Sequence, residues 1–149
     1  MHSQGQLHQA REIYEKVLRA QPGNLHVIST LAILAGQSQD FERAVRLFDR
    51  VLALDPHNAA AHSNRGLALH ELGLWEAALS SFDRAIALKP DYAVAHYNRG
   101  NTLKQIGDAR AALASYDLAT THQPGFSQAH YNRGVVLQEL EEWDAALAA

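Results

Sequence analysis

Apolar positions in the middle of the chain recur at helical spacing rather than in alternation. Residues 59–72 carry them one turn apart and stop at Gly73, a residue suited to a left-handed helix C-cap. Residues 75–88 then place Ala78, Leu79, Phe82, Ala85 and Ile86 on one stripe, with a period of about 3.6. Pro90 ends that stripe, because proline cannot continue a helix and disfavours helix in the residue before it. The pattern predicts two helices joined by a tight turn, each with one apolar face.

The same pattern recurs along the chain. The four prolines, Pro22, Pro56, Pro90 and Pro124, are spaced 34 residues apart, and aligning on them brings other columns into register. Ala10, Ala44, Ala78, Ala112 and Ala146 form one column; Tyr14, Phe48, Phe82 and Tyr116 form another. Leu7, Phe41, Trp75, Ala109 and Trp143 open each predicted second helix, while Gly5, Gly73 and Gly107 share a turn column with Gln39 and Glu141. Asn24, Asn58 and Asp91 lie where a side-chain oxygen is expected to cap the next helix, and Asp40 and Asp108 precede the second helices of their units. The units read as 1–24 (partial), 25–58, 59–92, 93–126 and 127–149 (truncated). Residues 7–20 are predicted to be a lone second helix, and the last second helix is cut at Ala149, as expected of a piece of a longer array.

Gly66, Gly100 and Gly134 sit mid-helix, with Ala32 in their column, at roughly 1 kcal/mol each relative to alanine. A recurring cost implies close backbone approach, with the alanine column opposite and the Phe or Tyr four residues later filling the space beside it. In the second full unit the run His62-x2-Arg65-Gly66-x2-Leu69, then Ala78-x3-Phe82, then Pro90, resembles the tetratricopeptide repeat in its glycine, alanine, aromatic and proline. The Trp, Leu and Tyr columns of that family differ here. The resemblance covers essentially the whole chain. It implies an all-α fold, a right-handed superhelical solenoid of antiparallel helix pairs whose first helices line a concave groove. Its implied partner is a protein or peptide.

Composition narrows the function classes. With 47% hydrophobic residues, a net charge of -3 and no basic run, the chain can bury a core but offers no electrostatic footprint for nucleic acid. There is no cysteine, hence no disulfide or thiolate metal site, and no apolar run of about 18 residues for membrane insertion. The first residues show no signal peptide, so a cytoplasmic location is expected.

Three columns of the first helices are candidates for chemistry. His62, His96 and His130 suggest a metal row or a pH sensor, but ligands of a zinc helix lie about one turn apart, not 34 residues, so packing in an aromatic slot is the simpler role. Arg65, Arg99 and Arg133 could grip an acidic ligand or pair with the Asp49, Asp83 and Asp117 column, in the same unit or the preceding one. Asn64, Asn98 and Asn132 fall on the face left over for the groove, with Tyr97, Asn101, Lys104, Tyr131 and Gln138. A row of carboxamides can hold a peptide backbone with little regard to its sequence. The row resembles the asparagine ladder of O-linked N-acetylglucosamine transferases, which implies either a free-standing scaffold or the targeting arm of such an enzyme. Three such contacts contribute ~1.5–4.5 kcal/mol, short of the ~8 kcal/mol of a micromolar complex, so other groove residues must contribute. A carboxylate clamp of the kind found in chaperone-binding relatives is matched by Asn101 and Asn132, but Ser63 and Tyr97 stand where its first lysine belongs.

Nothing in the sequence suggests catalysis or a cofactor. His70-Glu71 lacks the second histidine of a zincin helix, and there is no nucleophile elbow or phosphate-cradling loop. A further expectation is end-to-end self-association through exposed terminal helices.

Overall fold

The computed structural model describes residues 2–148, with side chains from residue 4 to 148, and these form eight α-helices without a strand. They are α1 (His2–Ala20), α2 (Leu25–Gln37), α3 (Phe41–Leu54), α4 (Ala59–Glu71), α5 (Trp75–Leu88), α6 (Ala93–Ile106), α7 (Ala109–His122) and α8 (Ser127–Ala148). The pairs α2–α3, α4–α5 and α6–α7 are antiparallel hairpins, and each packs on the next along the chain.

The loops follow from their residues. Each proline takes the second position of a four-residue turn. The turns are closed by Asn24 N–H to Gln21 O at 3.1 Å, Asn58 to Asp55 at 3.2 Å, Tyr92 to Lys89 at 3.0 Å and Phe126 to Gln123 at 3.0 Å. Asn24, Asp40, Asn58 and Asp108 accept from the backbone of Val27, Arg43, Ala61 and Ala111 and so cap their helices. Asp91 does not cap: the equivalent position is Tyr92, one residue later, and α6 starts without a side-chain cap. The tight turns inside the hairpins use positive φ at Gln39 (62°), Gly73 (78°) and Gly107 (97°).

The two end helices depart from the sequence expectation. α1 runs through Gly5 instead of starting near residue 7, and α8 runs through Glu141 instead of turning before Trp143. At Gly73 and Gly107 the turn is followed by packing of the second helix onto the first. In α1 no first helix is present for such packing, so continued backbone hydrogen bonding prevails. In α8 the turn column holds Glu141, and a left-handed conformation costs an L-residue about 1–2 kcal/mol. Met1 and Ala149, at which the expected units begin and end, lie outside the described residues.

The core runs along the seams between helices. One cluster joins Val27, Ile28, Leu31, Leu47, Phe48 and Val51 of the first hairpin to Ala61 and Ala68 of α4, with Tyr14 and Val17 of α1 against it. A second joins Leu103, Ala112 and Tyr116 to Val136 and Leu140 of α8. The glycine column explains the tight hairpins: a Cβ on Gly66 would stand 2.7 Å from Phe82 Cε1, and one on Gly100 2.7 Å from Tyr116 Cε1. Ala78, Phe82, Ala112 and Tyr116 are fully buried behind these contacts.

Candidate functional site

The arginine and histidine columns prove to be parts of the scaffold. Arg65 Nε donates to Asp49 at 2.6 Å and its Nη1 to Ser81 Oγ at 2.7 Å; Arg99 repeats this with Asp83 at 2.7 Å and Ser115 at 2.9 Å. Arg133 pairs with Asp117. Each aspartate belongs to the preceding unit, so one guanidinium fork bridges two units, and Ser81 and Ser115 (themselves 34 residues apart) are partners that the sequence reading passed over. The histidine Nε2 atoms of His62, His96 and His130 lie 3.0, 2.9 and 2.7 Å from the carbonyl oxygens of Pro56, Pro90 and Pro124, fastening each first helix to the turn before it. Among the described residues no group of three His, Cys, Asp or Glu is arranged to hold a metal.

The face left by these contacts is formed by α2, α4, α6 and α8. Its asparagines are not equivalent. Asn132 Nδ2 donates to Asn101 Oδ1 at 3.0 Å and to Tyr97 OH at 3.3 Å, and Tyr116 OH donates to the same Asn101 oxygen at 2.6 Å. Tyr97 also packs against Tyr116, with centroids 6.0 Å apart, and edge-on to Phe126 at 4.8 Å. Burial pushes the Tyr116 phenol up to about 12, the neighbouring Tyr97 raises it further, and the Asn132 carboxamide opposes the shift. The side chains of Asn64 and Asn98 make no hydrogen bond among the described residues, and both are half-buried. Lys104 is half-buried, Gln138 is exposed, and Tyr131 is 73% exposed. Ser63, expected on this face, is buried instead.

Beside Asn64 the structure adds a feature that no single column signals. A hollow of about 300 Å³ opens between α2, α3 and α4, lined by Ile33, Gly36, Phe41, Phe48, Asn64 and Leu67, among others. Ile33 and Leu67 are exposed at its mouth, while Phe48 is buried in its floor. Three helices contribute to it, so no linear pattern announces it. It offers an apolar slot with a carboxamide on the rim, a geometry suited to one bulky side chain with its backbone alongside.

Three family models, each described as Tetratricopeptide repeat, match residues 29–93, 81–114 and 2–24. No curated protein sequence matches the chain. Among solved structures, a crystal structure of MamA is similar over 99% of this chain and 86% of that one, with 26% identity and a TM-score of 0.86. YrrB, described as a TPR protein with an unusual peptide-binding site, is similar over 89% of this chain and 68% of its own, with 25% identity and a TM-score of 0.81. The first TPR of Spaghetti (RPAP3), bound to the HSP90 peptide SRMEEVD, shares the fold at 20% identity and a TM-score of 0.76, over 78% of this chain and 93% of that one.

Proposed function

The chain is built of tetratricopeptide repeats, and from that premise we propose that it is a non-catalytic protein-interaction scaffold that holds an extended peptide along α2, α4, α6 and α8. The observation that carries this reading is the apolar hollow of about 300 Å³ with Asn64 at its rim, continued along the face by the Asn98 side chain. The peptide would place one aliphatic or aromatic side chain in the hollow and offer its backbone to Asn64 and Asn98. Burying such a side chain contributes roughly 1.5–3 kcal/mol, and two net hydrogen bonds about 1–3 kcal/mol. Together these approach a weak complex, which Tyr131 and Gln138 extend toward the micromolar range. YrrB supports the reading only as a similar fold described as having a peptide-binding site.

The resemblance to a glycosyltransferase arm depended on three equivalent asparagines. With Asn132 and Asn101 engaged with each other, Asn64 and Asn98 remain for a ladder, and the scaffold reading does not require a catalytic domain. The same engagement removes two contacts from a carboxylate clamp. The test is to select binders from a displayed library of random extended peptides and measure their affinity. Asn64→Ala and Asn98→Ala are each expected to weaken binding about fivefold at unchanged helicity, and Leu67→Lys to weaken it more. Undiminished binding by all three variants would sink the proposal.

A further inference from the structure

The two end helices leave complementary faces uncovered. In the complete hairpins the first-helix glycine is buried under the second-helix aromatic, Gly66 under Phe82 and Gly100 under Tyr116. On α8, Gly134 occupies the same column but is exposed, with nothing within 4 Å of a Cβ built on it. On α1, Ala10 and Tyr14 occupy the alanine and aromatic columns. They remain half-buried, whereas Ala44, Ala78 and Ala112, and Phe82 and Tyr116, are fully buried. So α8 is a first helix with an empty aromatic slot, and α1 is a second helix whose aromatic has no slot.

We infer that the face of α8 around Gly134 receives α1 of a second copy of this chain, Tyr14 seating over Gly134 as Phe82 seats over Gly66, so that copies join head to tail. Three observations favour this occupant. The internal hairpins supply the register, with Ala10 and Tyr14 spaced as Ala78 and Phe82 are. The exposed Tyr131 would gain a ring beside it, as Tyr97 has Tyr116 at 6.0 Å. The charges are complementary: the end of α8 carries Glu139, Glu141 and Glu142, and the facing half of α1 carries His8 and Arg11. In the shared register Arg11 takes the column of Leu79 and Leu113, where its stem lies along Leu137 and its head reaches toward Glu141. Arg11 Nε is buried without a hydrogen-bond partner in the single chain. Val135 stands where Asn101 accepts the Tyr116 hydroxyl, so the Tyr14 hydroxyl gains nothing from the slot and phenylalanine should serve equally.

Sedimentation of the 149-residue chain tests this. The wild type should show mass rising with concentration, and added salt should weaken the association. Gly134→Leu fills the slot at a solvent-exposed position, so it should keep the helical signal and weaken association by roughly ten- to a hundredfold. Tyr14→Phe should associate like the wild type. Gly134→Leu retains a working α1, and Tyr14→Ala a working α8. An equimolar mixture of the two should therefore give a dimer that grows no further, and circular dichroism checks that Tyr14→Ala keeps its helices. A wild type that stays monomeric up to about 1 mM overturns the inference, as does association unchanged by Gly134→Leu or a mixture that forms no dimer.

Discussion

Gly66, Gly100 and Gly134 share one column and differ in what they face, which makes them a controlled comparison of close packing. The first two meet an aromatic ring at 2.7 Å from the position of a Cβ, and the third meets nothing. Gly66→Ala should therefore lower stability by about 1–3 kcal/mol, because the Phe82 ring cannot yield without disturbing a fully buried layer. Gly134→Ala should raise it by up to about 1 kcal/mol, the ordinary helix-propensity gain. Urea denaturation at dilution checks both, and equal effects at the two sites would contradict the packing account. Tyr116 gives a second residue-level prediction. Its neutral form is favoured in the fold, so its contribution is fully present below the ordinary value of 10.0 and is lost as pH rises through about 12. Tyr116→Phe should flatten the loss of stability over that window, read as melting temperature against pH.

At the scale of the element, the turn column decides whether a pair of helices folds back. Gly73 and Gly107 adopt the left-handed conformation at little cost, whereas Gln39 holds it at φ 62° with a side chain attached. Gln39→Gly should thus stabilise the α2–α3 hairpin by about 1 kcal/mol, measurable as a higher melting temperature; a loss would mean that the side chain contributes more than the strain costs. Glu141, in the same column, does not turn at all, and α8 continues as one helix. The pattern of columns was legible in the sequence, including the bounds of α5 to the residue. It misled at the two end helices, because a turn column specifies a turn only when a packed partner repays the interruption of the helix. The cap at Asp91 failed for a simpler reason, a shift of one residue.

For the whole molecule, every helix depends on its neighbours in the chain, as in a one-dimensional array. Helices in the middle have packed neighbours on both sides, and α1 and α8 have one. Hydrogen exchange should therefore be slowest in α3 to α6 and fastest in α1 and in the last two turns of α8, where residues 141–148 are all exposed. Uniform protection from end to end would show instead that the array unfolds as a single unit. The groove follows the same logic of position. Asn64, Asn98 and Asn132 are one column in sequence, yet Asn132 bonds to Asn101 and Tyr97, while position 67, the counterpart of Asn101 in the previous unit, is leucine. The candidate site was legible as a face; which of its carboxamides remain free was not.

By itself the sequence determined the period, the helix pairs, the turns and the residues that build the hairpins, because these rest on local chemistry repeated every 34 residues: proline in the turn, glycine beneath an aromatic, arginine beside aspartate. Only the tertiary structure decided which unit each arginine bridges, how the asparagines differ, where three helices leave an apolar hollow, and which packing faces stay open at the ends. These depend on distances between residues 16 to 35 positions apart on separate helices, which a column of identical letters does not encode.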